Sequence, residues 1–177
     1  GLHQLEKTNN PQYRSEINKI IGESYFNLKQ YTKAIPYLEA YKGKNGTYTD
    51  TDLYYLGFAY YQQGDYQKAI GQFNRIINGK NQVAQNAYYH LAQCYLKTGQ
   101  KQQALNAFRN AYQMNFSSEI KKDAHLNYAR LSYEVGNAYE STPIVIQAYI
   151  DTYPNDHTQE LKELLLDSYI TSGNFPS

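Results

Sequence analysis

The sequence predicts an all-α solenoid in which one helix hairpin is repeated along the chain. Within the 177 residues, a pattern with a period of 35 residues recurs at four independent positions. These positions hold a small residue, a tyrosine, an alanine and a large apolar residue: Gly22, Gly57 and Ala92; Tyr25, Tyr60 and Tyr95; Ala34, Ala69 and Ala104; Leu38, Phe73 and Phe108. A fixed period of this size is typical of repeat architectures.

The second repeat shows most clearly that each unit is a helix hairpin. Its first helix carries apolar and small residues at spacings i, i+3, i+4 and i+7, which form one helix face: Leu53, Leu56, Gly57 and Tyr60. A second amphipathic helix follows, with Tyr66, Ala69, Ile70, Phe73 and Ile76 or Ile77 on its apolar face. We expect Gly64 to end the first helix and Gly79 to end the second.

The small residues have a packing role in this interpretation. Gly22, Gly57 or Ala92 allows the two helices of a hairpin to approach closely, and Ala34, Ala69 or Ala104 does so from the partner helix. A bulkier side chain at these positions forces the helices apart, at a cost of about 1–3 kcal/mol.

The spacing divides the chain into four hairpin units and one terminal helix: residues 11–45, 49–80, 82–116, 118–154 and 157–173. The fourth unit has Ala129 at the small position and a longer turn after Gly136. Pro143 favours the first turn of the following helix, with Thr142 or Ser141 as its cap.

Both ends of the sequence predict further repeats in a longer protein. Leu5 fits the last core position of a preceding helix, and Asn10 and Pro11 fit a helix cap and first helical position. The residues Gly173 to Phe175 repeat the turn that precedes the second helix in unit two. We therefore expect the chain to be a fragment of a longer array.

The composition excludes several classes of function. A net charge of +1 gives no general attraction to nucleic acid or anionic membranes. No apolar run approaches the roughly 18 residues of a membrane span, and the N-terminus lacks the pattern of a secretory signal peptide. We expect no nucleic acid partner and no membrane insertion.

Residue patterns that support catalysis or metal binding are also missing from the sequence. The four histidines do not pair with other ligands at metal-binding spacings, and Cys94 is the only cysteine. Cys94 fits a small buried residue. The sequence therefore predicts no enzyme activity, no cofactor and no metal.

The pattern resembles the tetratricopeptide repeat (TPR) family, whose signature combines Leu-Gly-x-x-Tyr with Ala-x-x-x-Phe. Unit two matches it with Leu56-Gly57-x-x-Tyr60 and Ala69-x-x-x-Phe73. The signature tryptophan and the closing proline are absent from the first three units. The resemblance implies a right-handed α-α superhelix, and it extends to bacterial periplasmic or cell-envelope TPR proteins.

The resemblance also implies a protein-binding groove on the concave face, formed by the first helices of successive units. Its predicted residues are Lys19, Glu23, Phe26, Tyr54, Phe58, Tyr61, Tyr89, Gln93, Leu96, Lys97, Arg130 and Tyr133. Glu23 and Tyr55 occupy positions where the family's carboxylate clamp has asparagine, which argues against that mode of binding. The basic residues in the set favour an acidic or neutral partner.

The resemblance therefore predicts a scaffold that binds a protein or peptide partner. Two alternatives stay open: a structural assembly subunit of the bacterial cell envelope, and a regulatory arm of a larger multidomain protein. We expect a periplasmic or cell-envelope location, with the cytoplasm as the alternative. Self-association through the exposed ends of the array is a further expectation.

Overall fold

The computed structural model describes residues 10–172 and confirms an all-α solenoid. Apart from an isolated β-bridge between Lys44 and Thr47, regular structure in this range is helical. The helices are α1 (Pro11–Asn27), α2 (Tyr31–Ala40), α3 (Asp50–Gln63), α4 (Tyr66–Phe73), α5 (Gln82–Lys97), α6 (Lys101–Gln113), α7 (Ser118–Val135), α8 (Thr142–Thr152) and α9 (Thr158–Ser172). The predictions for Leu5 and for Gly173 to Phe175 lie outside the described residues.

Neighbouring helices along the chain pack against each other, as a repeat array requires. The first helices of units one to four also contact each other in order, α1 with α3, α3 with α5, and α5 with α7. A continuous core of buried side chains runs from Ala34 to Leu161. This arrangement places the first helices side by side and forms one shared surface.

Local sequence signals account for several helix ends. The Asn10 side chain accepts hydrogen bonds from the backbone of Gln12 and Tyr13, and Pro11 stands at the start of α1. Gly64 ends α3 with φ +87°, a conformation that glycine adopts without steric cost. These three predictions are confirmed.

The end of α4 differs from the prediction. The helix ends at Phe73 and not at Gly79, because the backbone hydrogen bonds that follow span three residues instead of four. They run from Arg75 N–H to the Gln72 carbonyl and from Ile76 N–H to the Phe73 carbonyl. These tighter turns still bury Ile76. The apolar spacing predicted the buried residue correctly but not the length of the helix.

Close approach of the two helices in a hairpin is confirmed at both glycines of the small position. A β-carbon on Gly57 would lie 2.8 Å from Cε1 of Phe73, and one on Gly22 would lie 2.8 Å from Cδ2 of Leu38. Phe73 is fully buried and has little space to move. The repeated glycine is therefore a packing requirement.

The turn of the fourth unit breaks the helix as predicted, between Val135 and Thr142. Asn137 organises this turn, because its side chain accepts hydrogen bonds from the backbone of Tyr139 and Glu140. Of the two predicted caps, Ser141 is confirmed as the cap residue and Thr142 is not, since it is the first residue of α8. Ser141 occupies the cap position without a side-chain hydrogen bond, and the Thr142 hydroxyl donates to the Ser132 carbonyl.

The core of units three and four contains a histidine enclosed by aromatic rings. His125 stacks on Tyr112 with ring centroids 4.4 Å apart and meets Tyr149 edge-on at 5.1 Å. Burial, with a smaller contribution from Lys121, lowers the pKa of His125 to about 4. Cys94 is also fully buried, as predicted.

We expect the His125 environment to make stability depend on pH. In the unfolded protein His125 binds a proton near its ordinary pKa, whereas in the folded protein it stays neutral down to about pH 4. The contribution of His125 to the free energy of unfolding therefore falls by about 3 kcal/mol as pH drops from about 6.5 to 4. Urea unfolding across this window should show a weaker decline in His125→Phe. An unchanged decline in the variant would contradict the assignment.

Candidate functional site

The groove surface, defined as the twelve predicted groove residues, lies on the first helices α1, α3, α5 and α7. In the structure its members divide into aromatic residues packed on each other, polar residues bonded to the next unit, and a remaining group without such contacts. Each group has a different capacity to contact a partner.

The aromatic floor consists of Phe26, Tyr54, Phe58, Tyr61 and His90, and Phe58 lies at its centre. The Phe58 ring centroid is 5.6 Å from Phe26, 5.8 Å from Tyr54, 6.1 Å from Tyr61 and 4.9 Å from His90. Such ring pairs contribute about 0.5–1.5 kcal/mol each beyond their buried area. The floor therefore joins α1, α3 and α5.

The rings of the aromatic floor are half-buried and not fully exposed. Burial raises the pKa values of the Tyr54 and Tyr61 hydroxyls, since the charged phenolate is poorly solvated there. Both tyrosines stay neutral at physiological pH. The floor presents an uncharged, partly open aromatic surface.

His90 belongs to this floor but was missed by the sequence analysis. Its Nδ1 lies 2.9 Å from the Asn86 carbonyl oxygen, so Nδ1 carries the proton. Burial lowers the pKa of His90, and the ring is neutral. The sequence held a signal for it: His90 follows Tyr55 by one repeat, and Tyr55 contacts Phe26 at 4.4 Å in the same way.

Four of the predicted residues bond to the first helix of the following unit. Lys19 pairs with Asp52 at 2.9 Å, and Arg130 holds Glu160 through two hydrogen bonds of 2.9 Å. The hydroxyls of Tyr89 and Tyr133 donate to Asp123 and Asp167. These groups stabilise the contacts between successive units.

The ion pairs also change the titration of their members. The hydrogen bond to Asp52 raises the pKa of Lys19, and the hydrogen bond from Arg130 lowers the pKa of Glu160. Both pairs are charged at neutral pH. Lys19 and Arg130 therefore have their charge balanced within the array.

The remaining predicted residues are Glu23, Gln93, Leu96 and Lys97. Glu23 is half-buried, and burial raises the pKa of its carboxyl group. Within residues 10–172, neither Glu23 nor the exposed Lys97 forms an ion pair. Gln93 and Leu96 are half-buried on α5, and Gln93 lies one helical turn after His90 of the aromatic floor.

Among the cavities that border the first helices, two contain tyrosine rings together with both acidic and basic side chains. The first cavity, between units one and two, has a volume of about 210 Å³, and its lining includes Lys19, Glu23, Tyr48, Asp52 and Arg75. The second cavity has a volume of about 450 Å³ and includes Tyr89, Glu119, Lys122, Asp123 and Asp156 in its lining. Both combine tyrosine rings with charged groups.

The described part of the chain contains no group of three or more histidine, cysteine or acidic side chains placed to hold a metal ion. None of the helices in residues 10–172 has both the length and the apolar character that a membrane span requires.

Comparison with family models agrees with the repeat pattern. Residues 89–157 match the model described as tetratricopeptide repeat. Residues 29–111 match the model described as anaphase-promoting complex, cyclosome, subunit 3. With the helix hairpins described above, these matches support tetratricopeptide repeats in this chain. No sequence among curated proteins matches it significantly.

Solved structures with this fold include YrrB, described as a TPR protein with an unusual peptide-binding site. It is 15% identical, with a TM-score of 0.65, over 86% of this chain and 75% of its own. MamA is 18% identical, with a TM-score of 0.66, over 91% of this chain and 84% of its own. A TPR protein from Parabacteroides merdae ATCC 43184 is 20% identical, with a TM-score of 0.60, over 96% of this chain and 62% of its own. At these identities the likeness shows the fold.

Proposed function

We propose that this chain is a protein-interaction scaffold and that its groove surface binds an extended segment of a partner protein. The observation that carries the proposal is the aromatic floor, whose rings are held in place by neighbouring helices while remaining partly open. Tyrosine and phenylalanine in such positions give large contact area at a small cost in conformational entropy. The printed description of YrrB, which names a peptide-binding site, supports the same function.

Rigidity of the floor favours binding. Tyr54, Phe58 and His90 are fixed by several ring contacts each, so little side-chain freedom is lost when a partner covers them. We propose a non-catalytic role, because the centre of the proposed surface consists of uncharged aromatic rings. The cell-envelope location and the roles as assembly subunit or regulatory arm stay predictions from the sequence.

The proposal predicts where a partner becomes cross-linked. A photoreactive amino acid at Gln93, on α5 one helical turn after His90 of the aromatic floor, should form a covalent adduct with a partner protein in a cell lysate. The same residue at Gln103, an exposed glutamine on the second helix α6, should form little adduct. Gel shift and mass spectrometry give both yields. Equal yields, or a higher yield at Gln103, would contradict binding by the groove surface.

A further inference from the structure

The charges that remain available on the first helices are mostly negative, although the sequence favoured an acidic or neutral partner. That prediction counted Lys19 and Arg130 as free cations. In the structure Asp52 and Glu160 neutralise them, which leaves Lys97 as an unpaired cation of the groove surface within the described range. Carboxylates, in contrast, remain in both cavities.

The first cavity contains a carboxylate without a counter-ion. Glu23 forms no ion pair among residues 10–172, since the neighbouring Lys19 is bound to Asp52. Arg75 also borders this cavity, and its guanidinium stacks over the Tyr48 ring at 5.3 Å. With Glu39, which lines the cavity as well, the charged groups are two cations and three carboxylates. The cavity has a net negative charge.

The second cavity has a stronger imbalance. Three carboxylates line it, from Glu119, Asp123 and Asp156, and Lys122 is the only lysine or arginine in its lining. Lys122 lies 3.8 Å from Asp156, so its charge is already shared. Asp123 accepts hydrogen bonds from the neutral groups of Tyr89 and Asn127. Neither of these partners cancels its charge.

In repeat order the aromatic floor overlaps the first cavity and precedes the second. The first cavity belongs to units one and two, the floor to α1, α3 and α5, and the second cavity to units three and four and the turn before α9. An extended chain along the first helices therefore contacts uncharged rings beside one negatively charged cavity at units one and two, and a second negatively charged cavity at units three and four.

We propose that the segment bound by the groove surface is basic, with an apolar centre on the aromatic floor and a lysine or arginine side chain in each cavity. This inference rests on the proposed function and adds the chemistry of the partner. A partly desolvated carboxylate such as Glu23 gains a counter-ion on binding, and tyrosine rings in both cavities suit the flat guanidinium group. Arginine therefore fits better than lysine.

Two synthetic peptides of equal length test the inference. Both have a centre of alternating leucine and tyrosine, and they carry either two arginines or two glutamates at each end. Fluorescence anisotropy at low salt should show that the arginine peptide binds about tenfold more tightly, and added salt should reduce the difference. Equal affinities, or tighter binding of the glutamate peptide, would overturn the proposal.

Substitutions distinguish this proposal from general electrostatic attraction. Glu23→Gln and Asp123→Asn should each weaken binding of the arginine peptide about fivefold. Asp151→Asn, which removes the same charge from the second helix α8, should have no effect. Equal effects of all three substitutions would show that binding depends on the net charge alone, and they would overturn the assignment to the cavities. If Gln93 still cross-links to a partner in that case, the proposed function stands and only the basic partner is refuted.

Discussion

Gly57→Leu should lower the melting temperature of the protein more than any single substitution on the groove surface. The first added atom would lie 2.8 Å from the buried Phe73 ring and 3.2 Å from Cβ of Gln72, so α3 and α4 must separate. Overpacking of this kind costs about 1–3 kcal/mol, and in a chain of this size that lowers the melting temperature by about 2–12 °C. Thermal melting followed by circular dichroism measures the effect.

Gly71→Leu is the matched control for this prediction. Gly71 lies on α4 in the same unit, and a β-carbon there meets no atom within 4 Å. Since leucine favours a helix by up to about 1 kcal/mol over glycine, this variant should melt at the same temperature or higher. If both variants lose the same stability, close packing at Gly57 is not the cause.

The second large effect concerns binding. Replacing Phe58 and Tyr61 together by alanine removes the centre of the aromatic floor, including the contacts of both rings with His90. Because buried aromatic anchors contribute on the order of 2 kcal/mol each, partner affinity should fall at least about tenfold. The partner captured by the cross-link at Gln93 provides the ligand for this measurement.

The repeat fold could be predicted because it depends on spacing within each unit. The pairs Gly22 with Leu38 and Gly57 with Phe73 recur at one interval, and the structure places each pair in contact. Local signals such as Asn10 and Gly64 set helix ends in the same way. The early end of α4 could not be predicted, since its apolar residues fit either a continuous helix or tighter turns.

The ion pairs and ring contacts of the groove residues depend on contacts between units, which the spacing within one unit does not reveal. The sequence placed Lys19 and Arg130 on the first helices, but it did not show that Asp52 and Glu160 reach them from the next unit. Whether such long side chains form ion pairs depends on the distance between the helices of neighbouring units. His90 was missed because its repeat position faces the preceding unit, although the same position in unit two holds an aromatic ring.

Calorimetry of the Phe58→Ala, Tyr61→Ala double variant with the captured partner tests the central claim most directly. Phe116→Ala, which removes an aromatic ring that is 52% exposed between α6 and α7, is the control. Circular dichroism must first show that both variants remain helical and folded at the temperature used. The account predicts at least about tenfold weaker binding for the double variant and unchanged affinity for the control. Unchanged affinity of a folded double variant would place the partner on the second helices or the loops and contradict the account.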